Sequence, residues 1–357
     1  MVQRKRLLLL PLGVFVVLVL YLLFWPVSIN PGSWTPSQSP SLTGRYQQNS
    51  KLASTERLPI GEGFAPEDVA VDAQNRIYAG LDDGRIVRLQ PDGTRPEDFA
   101  HTQGRPLGFS FDSAGNLIVA DAVKGLLSIS TDGVVSVLTT EVNGSAFRCT
   151  NDLDIARDGT IYFTDASRKF PLTNYRADIV EHRPNGRLLA YDPGTKSTRV
   201  VLDNLRFANG VAVSPDQSFV IVAETGRYRL HRVWLNGPKQ GQAELFIENL
   251  PGFPDGLSSN GRDRFWVALV SPRNALLDRL LPHPFLRKAV LRLPRMFQPA
   301  PKRYSFVIGL NSEGEVVENL QDGSPNCFSQ IANVVEHNGV LYFGSIGEAA
   351  IGRYRLR

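Results

Sequence analysis

A short unit recurs six times along the chain, and this internal repeat constrains the fold more than any other feature. Each copy has a strand-like run, a turn rich in Asp, Asn and Gly, and a second apolar run. The second runs begin at Ile77, Leu117, Ile161, Phe219, Phe265 and Leu341. Their spacings of 40, 44, 58, 46 and 76 residues fit four-stranded units with insertions. The repeat therefore predicts an all-β fold, a six-bladed β-propeller, because a β-sandwich would not explain a repeating unit.

Oxygen donors occupy the same position in four of the six copies. Counting back ten residues from each second run gives one equivalent position per copy. Two copies have Leu107 and Ile331 there, and the other four have Glu67, Asn151, Asn209 and Asp255. Equivalent loops of a propeller converge on its axis, and Ca²⁺ accepts several carboxylate and amide oxygens. Asn and Asp before a strand also cap turns, but the equal offset favours one central divalent ion, Ca²⁺, bound by these four residues.

The N-terminal region has the composition of a membrane anchor followed by a linker. Residues 7–27 carry no charge and are long enough to span a bilayer, and Arg4, Lys5 and Arg6 precede them. This pattern predicts a single-pass protein with residues 1–6 in the cytoplasm, residues 7–27 as the anchor and the remainder extracytoplasmic, in a periplasmic, lumenal or extracellular space. A cleaved signal peptide is the alternative, but the apolar run is long and no A-x-A-like site follows. Residues 28–51 are rich in Ser, Pro, Gly and Gln and predict a flexible linker, and residues 52–357 form the propeller.

The last copy of the repeat lacks one strand. After the run at Leu341 only residues 351–355 can form another strand before the chain ends. An unpaired sheet edge is a liability, and ring closure removes it. We therefore predict that residues 55–60 complete the sixth blade, with Leu58 beside Tyr354.

Two long insertions, residues 166–187 and 271–304, follow the second strand of their units and should therefore lie on the ligand face. The second insertion is strongly basic, with a single acid, Asp278, and apolar Leu and Phe residues interleaved. Its basic residues are Arg273, Arg279, Arg287, Lys288, Arg292, Arg295, Lys302 and Arg303. This composition predicts either a helix in a membrane interface or a lid that packs Leu and Phe inward and exposes Arg; both interpretations remain open.

Composition and motifs exclude several other classes of protein. The net charge of +4 gives no support to nucleic-acid binding. The only cysteines, Cys149 and Cys327, could pair with each other but form no C-x-x-C motif. The sequence contains no G-x-S-x-G, H-E-x-x-H, G-x-G-x-x-G or P-loop motif, and its five histidines follow no ligand spacing.

Several segments resemble the strictosidine-synthase-like family, in particular its membrane-anchored members. The resemblance covers about residues 58–355 and rests on RPLG at 105–108, NDLD at 151–154, YFTD at 162–165, ANGV at 208–211, AET at 223–225 and PGFPDG at 251–256. The wider superfamily includes gluconolactonases, regucalcin-like proteins and paraoxonases. It implies a six-bladed propeller with a metal, usually Ca²⁺, in the central tunnel, and its ligand positions correspond to Glu67, Asn151, Asn209 and Asp255.

Departures from the family pattern limit what the resemblance implies. Strictosidine synthase uses a glutamate in a segment similar to residues 325–331, where this chain has Asn326 and Ser329 and no carboxylate. Amine–aldehyde condensation is therefore not expected. The histidine that paraoxonases carry near the position of Leu107 is also missing, and Gly256 replaces a second ligand of that group.

Hydrolysis is the chemistry that these residues favour. A central Ca²⁺ can polarise the carbonyl of an ester or lactone, and Asp255 is our candidate catalytic base. The apolar, basic roof suits a hydrophobic or anionic small-molecule substrate. Membrane contact is expected at residues 7–27, and residues 271–304 make a second contact under the interface interpretation. The alternative hypothesis is a non-catalytic propeller whose metal is structural and whose open face binds a ligand or partner.

Overall fold

Six antiparallel sheets of four strands each make up the body of the protein, as seen in a computed structural model that describes residues 2–356, with side chains described from Gly13 onward. The predicted six-bladed β-propeller is confirmed. The strands of the first three blades are β2 (Val69–Val71), β3 (Ile77–Gly80), β4 (Arg85–Leu89) and β5 (Glu97–His101); β6 (Pro106–Phe111), β7 (Leu117–Asp121), β8 (Gly125–Ile129) and β9 (Val135–Thr139); and β12 (Thr150–Ile155), β13 (Ile161–Asp165), β14 (Gly186–Asp192) and β15 (Ser197–Leu205).

The remaining blades follow the same up-and-down order. Blade four contains β16 (Ala208–Val213), β17 (Phe219–Glu224), β18 (Arg229–Trp234) and β19 (Ala243–Ile247), and blade five contains β20 (Gly252–Ser259), β21 (Phe265–Pro272), β22 (Ser305–Leu310) and β23 (Val316–Asp322). Blade six contains β24 (Ile331–His337), β25 (Val340–Ser345), β26 (Ala350–Arg355) and the first strand of the chain, β1 (Glu56–Pro59). A small hairpin of β10 (Glu141–Val142) and β11 (Ser145–Ala146) lies between blades two and three in the chain.

The ring closes by pairing the first strand with the last. Strand β1 pairs antiparallel with β26, which confirms that the segment around Leu58 completes blade six. The register places Leu58 opposite Ile351 rather than beside Tyr354. The side chain of Leu58 is buried in a cluster that also contains Val87 and Leu89 of blade one. Leu58 therefore belongs to the sheet of blade six and packs against blade one.

Side chains near the axis connect successive blades by hydrogen bonds. Asp68 of blade one accepts a bond from the backbone nitrogen of Phe109 in blade two at 2.6 Å. Asp152 of blade three accepts the equivalent bond from Val211 in blade four at 2.9 Å. Asn333 of blade six donates to Asp68, so the same kind of contact spans the closure. A buried carboxylate needs hydrogen-bond partners, and here the partners are backbone nitrogens of the next blade. The length of these bonds therefore fixes the spacing between the innermost strands.

Glycines occupy the same position where the next blade approaches too closely for a side chain. A Cβ atom on Gly210 would lie 2.5 Å from the carbonyl oxygen of Asp255, and one on Gly108 would lie 2.7 Å from that of Asn151. Each glycine directly follows the position that lies ten residues before the second apolar run of its copy, Leu107 for Gly108 and Asn209 for Gly210. Blades one and three have an aspartate there, which reaches the next blade, whereas blades two and four have a glycine, which lets the next backbone come close.

Each of the two long insertions contains helical structure. The first carries a 3₁₀ turn at Leu172–Asn174 and α2 (Tyr175–Glu181), and the second carries α3 (Ala275–Leu280), α4 (Pro284–Arg292) and a 3₁₀ turn at Arg295–Phe297. Leu277 and Leu281 are buried, as the lid interpretation expects. The expectation that the arginines face solvent is wrong for Arg287 and Arg292, which are buried. Arg287 donates to the backbone oxygens of Val180 and Gly32, and these otherwise unpaired carbonyls explain why its guanidinium is held inside.

The predicted linker lies against the propeller over much of its length. Trp34 stacks on His182 with ring centroids 4.6 Å apart, and the guanidinium carbon of Arg227 lies 5.4 Å from the centroid of the Trp34 ring. Tyr46 is buried among side chains of blades four and five, and Leu52, the first residue after the predicted linker, is buried in a second cluster. The polar composition of residues 28–51 predicted a flexible tether, but its few large apolar side chains pack into the propeller and hold the segment there.

The N-terminal helix α1 (Val2–Phe24) precedes this segment. The predicted cytoplasmic tail, residues 1–6, and the first part of the predicted anchor, residues 7–12, lie outside the residues whose side chains are described. Among the described residues, no helix has both the length and the apolar character needed to cross a membrane. The structure therefore does not support the transmembrane part of the fold prediction.

The two cysteines do not form the disulfide that the sequence left open. Cys149 and Cys327 are both free and buried. Each packs locally in its own part of the ring, Cys149 beside Ala166 and Phe207.

Replacing Leu58 tests the closure of the ring. Leu58→Ala should lower the free energy of unfolding by about 2–4 kcal/mol, because it removes a buried side chain shared by two blades. Urea unfolding followed by tryptophan fluorescence measures the change. The exposed Val137 of β9 gives the matched control, and Val137→Ala should cost less than about 0.5 kcal/mol. Equal losses in the two variants would contradict a closing role for Leu58.

Candidate functional site

A cavity of about 530 Å³ lies near the axis, where the positions ten residues before each second apolar run converge. All four residues predicted from the repeat, Glu67, Asn151, Asn209 and Asp255, line it. They come from blades one, three, four and five; Glu67 lies just before its strand, Asn151 and Asn209 are second in theirs, and Asp255 lies at an irregularity within β20. The ring thus brings together side chains that are as much as 188 positions apart in the chain, counted from Glu67 to Asp255.

Glu67 is held by an arginine from the neighbouring blade. The guanidinium of Arg105 lies 2.9 Å from Oε2 of Glu67, and both side chains are largely shielded from solvent. The same guanidinium donates to the backbone oxygens of Ala65 and Gly80. Burial raises the pKa of Glu67, and the charge of Arg105 opposes this shift. Arg105 therefore favours the ionised form of a carboxylate that burial alone would protonate.

Asn209 and Asp255 form a second contact on the axis. The amide nitrogen of Asn209 donates to Oδ1 of Asp255. This orientation leaves Oδ1 of Asn209 buried without a hydrogen-bond partner. Burial and the nearby charge of Glu67 raise the pKa of Asp255 well above its usual range. An unpaired buried amide oxygen beside two mutually repelling carboxylates is the arrangement expected of a site that binds a cation.

The donor set fits a hard cation only if amide oxygens take part. Within the described residues, no three His, Cys, Asp or Glu side chains are grouped so that they could hold a metal ion. The cavity has two carboxylates from the predicted set, and Asn151 and Asn209 supply the other oxygens. Carboxylate and amide oxygens together suit Ca²⁺ better than a metal that prefers nitrogen or sulfur.

Both insertions contribute to the wall of the cavity above these residues. The wall is mostly apolar, and its members from the insertions include Leu172, Tyr175, Ile179, Val180, Leu277 and Pro299. Phe207 and Phe253 extend the apolar lining toward the blades. The four predicted oxygen donors are thus gathered at the axis, and the apolar part of the wall can accept an apolar ligand.

Three charged lining residues, Asp82, Arg105 and Arg176, were not predicted as part of the site. Arg105 starts the RPLG segment two residues before Leu107, so its place in the repeat was a usable signal. Arg176 lies in α2 and reaches the cavity only because the first insertion folds over it. No periodicity in the sequence identifies Arg176, since its position depends on the path of the insertion.

Residues 325–331 contain no carboxylate, but the fold brings the side chain of Glu348 next to this segment. Oε1 of Glu348 accepts bonds from the backbone nitrogen and hydroxyl of Ser329, at 3.0 and 3.1 Å. Arg303 also lies 3.0 Å from this oxygen. Glu348 does not line the central cavity as the described residues define it. This carboxylate therefore fixes the loop around Ser329 and does not replace the glutamate expected of a condensing enzyme.

Glu224, at the end of β17, is fully buried and surrounded by donors. The nitrogen Nε of Arg229 lies 2.6 Å from Oε2, the ring nitrogen Nε2 of His231 lies 2.8 Å from the same oxygen, and the backbone nitrogen of Arg206 lies 3.0 Å from Oε1. Burial alone would raise the pKa of Glu224, but the bonds from His231 and Arg229 outweigh it and lower the pKa to about 2. Glu224 is therefore a structural anion that holds the strand end next to Thr225, which lines the cavity.

Comparison with known proteins identifies the family. The family descriptions "Strictosidine synthase" and "Strictosidine synthase-like, N-terminal" match residues 151–238 and 44–89. Adipocyte plasma membrane-associated protein of Rattus norvegicus is 35% identical over 353 residues, which cover 92% of this chain and 93% of the rat protein. This chain belongs to the strictosidine-synthase-like family.

A plant relative and two solved structures extend the family comparison. Protein STRICTOSIDINE SYNTHASE-LIKE 6 of Arabidopsis thaliana is 36% identical over 331 residues, 91% of this chain and 86% of the plant protein. A gluconolactonase of Xanthomonas campestris matches with a TM-score of 0.63 at 17% identity, covering 93% of this chain and 99% of its own. The calcium-binding protein regucalcin of Agrobacterium tumefaciens matches with a TM-score of 0.60 at 14% identity, covering 85% and 95%. At these identities the two structures show the fold.

The depressed pKa of Glu224 predicts a stability difference that depends on pH. A lowered pKa in the folded state contributes stability above the unfolded value of about 4.5, and this contribution disappears as pH falls through about 2. Glu224→Gln should therefore cost about 2–3 kcal/mol at pH 7, and the cost should shrink steadily below pH 4.5. Chemical unfolding at pH 7, 4.5 and 3 measures it.

Glu97, whose side chain is 50% exposed beside Arg88, provides the control. Glu97→Gln should change stability by less than about 1 kcal/mol at each pH. A cost of Glu224→Gln that stayed constant or grew toward pH 3 would contradict the assigned protonation state.

Proposed function

We propose that the central cavity is a Ca²⁺-dependent hydrolytic site for an apolar ester or lactone. The observation that carries this proposal is the convergence of Glu67, Asn151, Asn209 and Asp255 on one apolar-walled cavity, with Oδ1 of Asn209 left unpaired. These four residues would hold the ion. When bound, it would polarise the substrate carbonyl and stabilise the negative charge that develops on its oxygen.

The protein side chains have distinct tasks in this scheme. Asn209 donates to Oδ1 of Asp255 and orients the carboxylate, while Oδ2 accepts no hydrogen bond from the described residues. Oδ2 of Asp255 is therefore placed to take a proton from an attacking water. Arg105 favours the ionised form of Glu67, and the apolar wall limits the access of bulk water to the substrate.

The relatives support this class of chemistry without identifying the substrate. The Xanthomonas protein of similar fold is named a gluconolactonase, and the Agrobacterium protein is named calcium-binding. The apolar wall of this cavity favours an aromatic or alkyl ester or lactone over a sugar lactone, which would need more polar partners. A propeller that binds such a compound without cleaving it is the alternative.

We further propose that residues 7–27 hold the propeller at a membrane, with the N-terminus in the cytoplasm. The uncharged apolar run and the preceding Arg4, Lys5 and Arg6 support this topology. The rat relative is named a plasma membrane-associated protein, which is in keeping with it.

Metal removal tests the first part of the proposal. Ca²⁺ added to chelator-treated protein should raise the melting temperature, and at 100 times the dissociation constant it should stabilise by about 2.7 kcal/mol. Glu67→Gln and Asp255→Asn should abolish the shift, because each removes a charged ligand. Differential scanning fluorimetry and elemental analysis provide the readouts. Asp263→Asn, at an exposed position, is the matched control and should respond to Ca²⁺ as the unmodified protein does. If elemental analysis finds no divalent ion bound to the folded protein, the proposed site is excluded.

Turnover tests the second part. The full-length protein should hydrolyse at least one member of a panel of phenyl acetate and alkyl lactones, and EGTA should abolish the activity. Asp255→Asn should reduce kcat/KM by about 100-fold or more, as the loss of a catalytic base and a ligand requires. Asp263→Asn should have no effect. Ca²⁺ binding without turnover on any substrate would favour the binding module, and turnover that survives Asp255→Asn would remove Asp255 from the mechanism.

A further inference from the structure

A second cavity lies beside the first, at the end of α1. Its volume is about 450 Å³, and it lies between residues 26–28, the start of α2 and the region around α4. Tyr175 and Arg176 line both cavities, so these two side chains form a common wall. Nothing in the proposed hydrolytic mechanism uses this second space.

The second cavity has positive charge without a matching carboxylate. Arg176 and Arg295 both line it. Neither forms an ion pair with a carboxylate among the residues whose side chains are described. Residues 1–12, whose side chains are not described, contain no Asp or Glu. Two guanidinium groups facing one cavity therefore favour an anionic ligand, and planar guanidinium groups suit phosphate oxygens in particular.

Large apolar side chains flank this charged cavity on two sides. Met296 and Phe297 directly follow Arg295 and are 82% and 64% exposed. Phe24 and Trp25 directly precede the cavity residue Pro26 and are 71% and 60% exposed. Such exposed apolar residues beside unpaired arginines form an amphipathic surface of the kind that contacts anionic lipid.

Buried Arg292 holds the two flanks together. Its Nε lies 2.6 Å from the backbone oxygen of Trp25, and its Nη1 lies 2.6 Å from that of Leu22. In return, the hydroxyl of Tyr21 donates to the backbone oxygen of Arg292 at 3.1 Å. These bonds satisfy carbonyls at the C-terminus of α1, where the helix dipole also favours a cation. The end of α1 and the segment that carries Arg295 are therefore held beside the same cavity.

We propose that the second cavity binds the phosphate headgroup of an anionic phospholipid. Arg176 and Arg295 contact the phosphate, and the acyl chains lie along the exposed apolar residues at the end of α1 and after Arg295. An anionic lipid accounts for both the charge and the apolar flanks, whereas a free phosphate would not need the latter. This inference does not depend on hydrolysis in the central cavity.

Lipid retention by the full-length protein tests the proposal. The protein in detergent micelles is mixed with equal amounts of phosphatidylglycerol and phosphatidylcholine, and native mass spectrometry counts the lipid that stays bound. We expect one phosphatidylglycerol to be retained at least tenfold more often than phosphatidylcholine. The double variant Arg176→Gln/Arg295→Gln should lose this preference. The control Arg279→Gln/Lys302→Gln removes the same charge at exposed positions outside both cavities and should keep it.

Two further measurements separate a lipid from a soluble phosphate and from a folding defect. Met296→Ser/Phe297→Ser should reduce retention of phosphatidylglycerol several-fold, and glycerol 1-phosphate at millimolar concentration should not displace the lipid. Arg295→Gln alone, at an exposed position, guards against unfolding of the double variant and should weaken retention while leaving the melting temperature unchanged. Equal retention of both lipids, full retention by the arginine variants, or complete displacement by glycerol 1-phosphate would overturn the proposal.

Discussion

Backbone pairing between β1 and β26 is the constraint on which the rest of the molecule depends. It joins the segment from Glu56 to Pro59 to the last strand and turns six sheets into a closed ring. Closure removes the exposed edge that blade six would otherwise have. It also sets the directions of all six blades, since each packs between two neighbours. The central cavity exists because the equivalent loops of a closed ring must point toward one axis.

Polar contacts near the axis make this closure compatible with a buried site. Asp68 and Asp152 accept backbone hydrogen bonds from the following blade, and Gly108 and Gly210 let the neighbouring backbone approach. Burial raises the pKa of Asp152 to about 7, so the arrangement has an electrostatic cost. The backbone donors offset part of that cost. The same inner strands thereby carry both the connections between blades and the oxygen donors of the candidate site.

The insertions connect this site to the N-terminal region. Arg287 and Arg292 lie in α4 and donate to backbone oxygens of α2, the linker and α1. The roof of the central cavity, the docked linker and the end of α1 are therefore one packed layer on the ligand face. Such a layer fixes the position of the cavity roof relative to α1. It also explains how Arg287 and Arg292 are held inside the fold by backbone oxygens rather than by carboxylates.

Local pattern was sufficient for the blades and for the four donors. Alternating apolar residues and turn residues depend on neighbours in the chain, and a repeat of these patterns places Glu67, Asn151, Asn209 and Asp255 at equivalent positions without further information. The need for a closing strand at Leu58 followed from the count of strands. Its register did not, because the pairing of Leu58 with Ile351 is selected by packing against blade one.

Tertiary structure alone decided the contacts between segments that lie far apart. Arg105 meets Glu67 across 38 residues, and Trp34 stacks on His182 across a much longer stretch of chain. Composition predicted a free linker and exposed arginines, yet Trp34 packs against the propeller and Arg287 is buried. The reason is that a side chain's partner depends on which backbone carbonyls, rings and cavities the folded chain brings within reach, and no local periodicity encodes that proximity.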